Sequence, residues 1–337
     1  MRIRKLIGIA ALATAVAAAS LVYAAARRDG PPAGEAVDVT IPPGASLHVI
    51  ARRLEAVGLI GAPRVFAMYA RLRGAASDLK AGRYRLVAGT GYGGLLEALR
   101  SGMVVTVPLT IPEGLTLREI APRIAGFTGD SARAILTLLE DPSWVEEFRL
   151  PGPTLEGYLF PETYRFSEDT PAPSIVRTMI ARYHAFWGTA EKAAADSLGL
   201  SEREVVTLAS IVEEEARRAE ERPLIAGVYL NRLEIGMLLQ ADPTVQYALG
   251  QHRARLLFRD IDAVADNPYN TYTHPGLPPG PIASPGQASL RATLHPAHHA
   301  FLFFVAREDG SHEFTRTNRE HLNAVNRIRR EKASHRP

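Results

Sequence analysis

A carboxylate at the edge of an apolar helical face is the first feature of this chain able to do chemistry. The segment from Ser201 to Glu221, SEREVVTLASIVEEEARRAEE, opens on Ser201 and Glu204, a Ser-x-x-Glu capping box. Val205, Leu208, Ala209, Ile211, Val212 and Ala216 recur at helical spacing, which predicts one buried stripe. At about 100° per residue, Glu214 points away from that stripe. Glu215 follows Leu208, Ile211 and Val212 at i+7, i+4 and i+3, so it lies at the stripe's edge. A carboxylate there loses hydration, its pKa rises, and it becomes fit to act as a general acid near neutral pH. The plain alternative is that Glu213 to Glu215 form a solvated acidic turn.

Three segments follow that weigh against the plain alternative. Gly227 to Leu233 continues into Gly236-Met-Leu-Leu-Gln-Ala-Asp-Pro-Thr-Val-Gln-Tyr247. Asn267 to Gly280, NPYNTYTHPGLPPG, is polar, aromatic and dense in proline and glycine, the composition of a stiff loop lining a site. Ile282 to Pro296 comes last. Upstream, Leu150 to Phe166 carries Tyr158, Phe160, Tyr164 and Phe166 beside Glu156 and Glu162. Aromatics with carboxylates suit sugar rings, whose C–H faces stack while their hydroxyls take hydrogen bonds. An ordinary buried loop would look the same.

Other chemistries fit less well. His295, His298 and His299 cluster, with His274 and His312 elsewhere, but no HExxH-type spacing occurs and no metal or other cofactor is expected. The net charge is only +3, and no basic stripe interleaved with aromatics suggests nucleic acid. The cluster Arg327, Arg329, Arg330 and Lys332 reads as a solvated helix end. Cysteine is absent, which excludes disulfides and thiol catalysis.

The 337 residues leave room for about two domains plus appendages. Arg2, Arg4 and Lys5 precede Leu6 to Ala26, 21 residues without a charge. As a helix that stretch would reach roughly 32 Å, enough to cross a bilayer core. We read residues 1–28 as a cytoplasmic start and uncleaved anchor of a single-pass inner-membrane protein, with the bulk of the chain outside. A cleaved signal peptide ending near Tyr23 to Ala26 is the competing reading. Residues 29–36 form a Gly/Pro-rich linker.

Residues 37–105 then predict a strand, a helix from Ser46 with a Val49, Ile50 and Leu54 stripe, a helix near Pro63 to Arg73, a strand over Leu79 to Leu86, and a short helix from Gly93 to Ser101. Their strand-helix-helix-strand order resembles a LysM-type glycan-binding module. Ile41 to Leu54 is echoed by Ile111 to Ile124, each with a strand, a Pro-x-Gly turn and an amphipathic helix. Residues 106–337 are expected to form a mixed α+β catalytic domain, so the fold class is α+β.

Five pieces carry a resemblance: LEGYLFPETY, LASIVEEEA, AGVYLNRLEIGMLLQADPTVQYAL, NPYNTYTHPGLPPGPIASPG and HPAHHAFLFFVA, in that order between about Leu155 and Asn323. The chain resembles the MltG/YceG-like family of endolytic murein transglycosylases. It departs by having Glu214 where the family often has lysine, which leaves Glu213 as a competitor. The helical face and the family pattern both favour Glu215 as the catalytic residue. The resemblance implies peptidoglycan glycan strands as substrate and work beside cell-wall synthases.

Ordinary glycosidases need two carboxylates. One suffices if the muramic 6-hydroxyl attacks its own anomeric carbon and leaves a 1,6-anhydromuramic end. Gln240, Tyr269, Asn270 and Tyr272 would then position the sugar and stabilise oxocarbenium-like charge. Glu156 and Tyr158 would touch glycan. Asp242 is either a substrate-site carboxylate or a cap of the following helix. The non-enzymatic rival is a membrane-tethered protein that binds peptidoglycan and organises wall synthesis.

Overall fold

A computed structural model describes residues 16–17, 20, 22–24, 34–253 and 256–334. The expected anchor over Leu6 to Ala26 lies largely outside the described residues. Among the described residues no helix is long and apolar enough to cross a membrane. The chain divides into two compact units, Met1–Pro108 with Arg165–Thr170, and Leu109–Tyr164 with Pro171–Pro337. The first unit runs to Pro108 and takes back Arg165–Thr170, a return that no local pattern announces.

In the first unit, strand β1 (Ala36–Ile41) pairs antiparallel with β2 (Gly82–Val87), from Ala36 opposite Val87 to Ile41 opposite Gly82. Helices α1 (Leu47–Ala56) and α2 (Pro63–Leu72) lie between them in sequence, and α3 (Gly91–Ser101) follows. The strand-helix-helix-strand order is therefore present. Gly44, at φ +70, makes the turn after β1 in the left-handed region that glycine enters without strain. Ser46 then caps α1 by accepting from the Val49 N–H at 3.4 Å. The helix buries Leu47, Ile50, Ala51 and Leu54. Val49, expected on that stripe, is 40% exposed: the core-facing arc is centred one position away. Phe66, Tyr84, Tyr92 and Leu99 complete this core. Asp38 sits opposite Arg85, and the Arg85 and Arg83 guanidiniums hold its carboxyl well below the usual carboxylate range.

The second unit is mainly helical. Strand β3 (Val107–Thr110) pairs with β4 (Thr163–Phe166), each strand having residues in both units, and α4 (Leu117–Thr128), α5 (Ala132–Leu139) and α6 (Ser143–Phe148) lie between them in sequence. Gly114, at φ +77, turns the chain into α4 as Gly44 does for α1, so the two sequence echoes share one turn geometry. Then come α7 (Ala172–Phe186), α8 (Thr189–Ser197) and the glutamate helix α9 (Glu202–Glu215). A 3-10 turn (Ala219–Glu221) leads into α10 (Arg222–Glu234), α11 (Asp242–Leu249), α12 (Phe258–Ala263) and α13 (Gln287–Leu294). The hairpin β5 (Phe303–Ala306) and β6 (His312–Thr315) precedes α14 (Asn318–Ser334). These short antiparallel sheets among many helices bear out an α+β fold.

Helix α9 is the axis of this unit. All eight residues from Val205 to Val212 are buried, because α8, α10, α11 and α13 pack around it. Burying each large aliphatic side chain contributes about 1.5–3 kcal/mol. Two polar members of the run are satisfied locally. Thr207 Oγ1 donates to the Arg203 carbonyl at 2.7 Å, and Ser210 Oγ donates to the Thr207 carbonyl while accepting from the Ile282 N–H at 3.0 Å. The second bond fastens the loop before α13 directly to the glutamate helix.

Candidate active site

The capping box at the start of α9 is formed. Ser201 Oγ accepts from the Glu204 N–H at 3.3 Å, and Glu204 accepts from the Ser201 N–H at 2.8 Å. The far end differs from the sequence expectation. The helix stops at Glu215, and Ala216 turns out of it at ψ 113. The continuation to Glu221 is made of good helix formers, but packing redirects the chain into α10.

At this exit the three consecutive glutamates occupy three different environments. Glu213, its side chain only 7% exposed, pairs with Arg222 at 3.0 Å and accepts from the Gly286 N–H at 2.9 Å. It is a structural clamp, joining α9 to the starts of α10 and α13. Glu214 is exposed along its stem, yet its carboxyl tucks against Gly114: a Cβ on that glycine would meet Glu214 Oε1 at 2.6 Å. Burial of the carboxyl, then the charges of Glu119 and Glu213, push Glu214 up to about 7. The helical wheel placed it off the buried stripe, and Glu214 is indeed exposed there; the Gly114 turn, which a wheel does not record, lies against its carboxyl end.

Glu215 is the last residue of α9 and is partly buried. Its Oε1 accepts a hydrogen bond from Tyr229 Oη at 2.9 Å. Burial pushes its carboxyl up to about 7, and the charges of Asp242 and Glu214 act in the same direction. The Tyr229 bond and Arg232 oppose this. The negative end of a helix dipole also disfavours the ionised form. The two candidate carboxyls differ in their partners: Glu213 is paired with Arg222, whereas among the described residues Glu215 accepts only from the neutral Tyr229 hydroxyl.

The other expected residues divide sharply. Asp242 is the first residue of α11 and is exposed. It does not cap that helix. It accepts from Tyr272 Oη at 2.5 Å, and its charge reaches Glu215. Gln240 is exposed and has a left-handed backbone, φ 48, held by its N–H to the Thr271 carbonyl at 3.0 Å. A non-glycine residue kept there stores strain of about 1–3 kcal/mol, a cost that clusters at working sites. Thr271 also accepts from the Ala241 N–H at 2.9 Å, so the Gln240–Asp242 corner and the Tyr269–Tyr272 loop are laced together. Tyr269 is partly buried, and its ring packs tilted at 46° against Tyr247 with centroids 4.8 Å apart. Glu215, Asp242 and Tyr272 therefore form one cluster, with Gln240 and Tyr269 on the adjoining backbone.

Two expected glycan contacts are buried instead. Asn270 is 0% exposed. Its Nδ2 donates to the Ile261 and Val264 carbonyls at 3.0 and 3.1 Å, and its Oδ1 accepts from the Tyr272 N–H at 3.0 Å. The side chain is spent on folding the loop, so it acts on Tyr272 and not on sugar. Tyr158 is also 0% exposed, packed edge-on against Tyr183 at 5.2 Å and against Gly152. Its ring presents no surface to a ligand. We expect Asn270→Ala to lose about 2–4 kcal/mol, because three buried backbone groups lose their partner. The melting temperature should fall by about 5–15 °C for a domain of this size, read by calorimetry.

Glu156 faces a cleft of about 630 Å³ whose wall also includes Glu119, Glu140, Glu214, Tyr247 and His252. The residue is only 6% exposed, and its carboxyl accepts from the Leu117 N–H at 3.1 Å, at the start of α4. Tyr247 Oη donates to its Oε2 at 3.4 Å. Burial pushes Glu156 up to about 8 against those two hydrogen bonds. Glu156 thus lies at the wall of the cleft with little of its surface exposed.

Tyr229 and Arg232 are site residues that the sequence reading did not single out. Ile225, Tyr229 and Arg232 recur at i, i+4 and i+7, so a helical wheel of α10 places them on one face. Arg232 is 7% exposed and donates to the Leu239 and Leu302 carbonyls. The histidines are structural where they are described in contact. His299 reaches the Leu224 carbonyl at 3.0 Å, and His312 pairs with Glu221 at 2.7 Å.

A carboxyl that changes protonation near neutral pH, held by a neutral donor beside a polar loop and an acidic cleft, suits acid–base work on a neutral, hydroxyl-rich ligand. Comparison with known proteins identifies the lineage. The chain belongs to the YceG-like family, whose model matches residues 39–327. It is 36% identical over 304 residues to an endolytic murein transglycosylase of Bacillus subtilis (strain 168), covering 86% of this chain and 83% of that protein. It is 33% identical over 303 residues to an endolytic murein transglycosylase of Streptococcus pneumoniae, covering 80% of this chain and 54% of that larger protein. A crystal structure of a YceG-like protein from Listeria monocytogenes superposes with TM-score 0.60 at 33% identity, over 86% of this chain and 99% of that one.

Proposed function

We propose that this chain is an endolytic lytic transglycosylase that cleaves β-1,4 bonds between N-acetylmuramic acid and N-acetylglucosamine inside peptidoglycan strands. The observation that carries the reading is Glu215, a carboxyl pushed up to about 7, held by a neutral tyrosine beside the Tyr272–Asp242 pair. Protonated Glu215 gives its proton to the glycosidic oxygen as the anomeric C–O bond breaks. The resulting carboxylate takes the proton of the muramic 6-hydroxyl as that oxygen bonds to the anomeric carbon. Glu215 ends as it began, no water is consumed, and the new end is a 1,6-anhydro ring. A general acid of this kind supplies about 10²–10⁴ in rate. Gln240, Tyr269 and Tyr272 position the sugar, and Glu156 takes a hydroxyl of the strand at the cleft it lines with Glu214 and Tyr247.

One observation favours a second reading. Asp242 is not a helix cap, and its charge is felt at Glu215. A carboxylate there could activate water, giving hydrolysis and a reducing end. Asp242→Asn separates the two: it should abolish hydrolysis and spare anhydro-end formation.

The proposal includes residues Leu6–Ala26 as a membrane anchor that places the enzyme outside the cytoplasm, beside the synthases that make new strands. Fractionation of cells making the chain with and without residues 1–28 tests that placement. The activity itself is tested by incubating long, end-labelled strands with the full chain. Endolytic action shortens strands from within before free disaccharide accumulates. Strands that are bound and never shortened would instead support the tethered scaffold.

A further inference from the structure

Tyr229 is buried, 1% exposed, and its place is fixed by packing. It lies in the α9–α10 core with Leu208, Ile211, Val212 and Ile225, and its ring meets Phe304 edge-on at 5.8 Å and 89°. A buried phenol needs a hydrogen-bond partner, and the one it has is Glu215 Oε1 at 2.9 Å. Among the described residues no hydrogen bond to Glu215 Oε2 is formed. We propose that Tyr229 is the positioning residue of the reaction, holding Glu215 by one oxygen so that the transferable proton resides on the other.

The reasoning rests on the proposed transglycosylase reading and on donor–acceptor chemistry. Burial pushes the Tyr229 phenol well above its ordinary range, so it remains a neutral O–H donor throughout the working range of pH. An oxygen that accepts this hydrogen is the poorer place for the acid's own proton. Protonation is therefore directed to Oε2, the atom left for the glycosidic oxygen and then for the 6-hydroxyl. The same bond favours the ionised form and offsets part of the effect of burial. The other groups acting on Glu215 come from each neighbouring element: Glu214 on α9, Arg232 on α10, Asp242 on α11 and Tyr272 on the polar loop. Asp242 and Glu214 raise its pKa and Arg232 lowers it, and Tyr229 is the neutral group that donates a hydrogen bond to it.

The test is the pH dependence of kcat for the full chain, on glycan strands, in three forms: unmodified, Tyr229→Phe, and 3-fluorotyrosine installed at position 229. Activity needs protonated Glu215, so it is lost as pH rises through the carboxyl's pKa. Removing the donor should move that alkaline limb up by about one unit, since a hydrogen bond to a charged group contributes roughly that much. It should lower kcat about tenfold to hundredfold with KM changed less than about threefold, because proton transfer and not strand binding loses its geometry. Fluorination makes the phenol a stronger donor with nearly unchanged shape, so the limb should move the other way, toward lower pH. That form remains informative if Tyr229→Phe does not fold. Coincident limbs in unmodified and fluorinated protein, or a change confined to KM, would overturn the proposal. If the unmodified chain makes no anhydro ends, the transglycosylase reading fails and this inference falls with it. If it makes them and the limb does not move, only this inference fails.

Discussion

Glu215→Gln should lower turnover by about 10²–10⁴ while strand binding persists, and the variant should be the more stable protein above neutral pH. The first effect follows from removing the proton that the leaving oxygen must receive, for which the amide has no substitute. The second follows from linkage. In the folded state the Glu215 carboxyl is pushed up to about 7 from its ordinary 4.5. Between those values the folded protein holds more protons than the unfolded chain, so stability falls as pH rises through that window. Above about 7 the ionised group costs on the order of 1–3 kcal/mol, which the neutral glutamine does not incur. Unfolding by denaturant at pH 5 and pH 8 should show a gain for the variant only at pH 8. A variant that is inactive because it is unfolded, or equally stabilised at both pH values, would contradict this picture of the site.

Arg222→Ala should be the most damaging single change to the scaffold around the acid. Arg222 donates to Glu213 at 3.0 Å and to Ser289 Oγ at 2.9 Å, while Glu213 also holds the Gly286 N–H. With the guanidinium gone, Glu213 remains as a charge whose side chain is only 7% exposed. Breaking one half of a buried pair costs about 3–5 kcal/mol, because the survivor is left uncompensated. The melting temperature should drop by about 6–20 °C. Pairing the change with Glu213→Gln should recover much of the loss, since the amide still accepts from Gly286 and carries no charge. Calorimetry of the single and double variants measures this. A single variant melting within about 2 °C of the unmodified chain would show that the clamp does not hold α9 to α13.

How far the site could be read from sequence depended on whether the interactions were local. The start of α9 was legible, because Ser201 and Glu204 satisfy each other within one turn. Its end was not, because Ala216 to Glu221 favours helix locally and is redirected by packing around α10. The choice of Glu215 over Glu213 was legible only as a face. What separates the two carboxyls are partners far along the chain, Arg222 and Gly286 for one and Tyr229 for the other. Tyr158 and Asn270 misled for a single reason: residue types that suit sugars also suit buried loops, and composition does not record exposure. Glu214 lies off the buried stripe as the helical wheel places it, but a wheel knows nothing of the Gly114 turn that its carboxyl meets. The α+β class and the strand-helix-helix-strand order of the first unit were legible from alternation and caps. The return of Arg165–Thr170 to that unit was not.

The most direct measurement is mass spectrometry of the ends produced when the full chain and its Glu215→Gln variant digest purified glycan strands. Muramic ends lighter by one water, from the unmodified chain only, are expected if Glu215 alone serves as acid and then base. Reducing ends carrying the added water would contradict that mechanism and turn attention to Asp242.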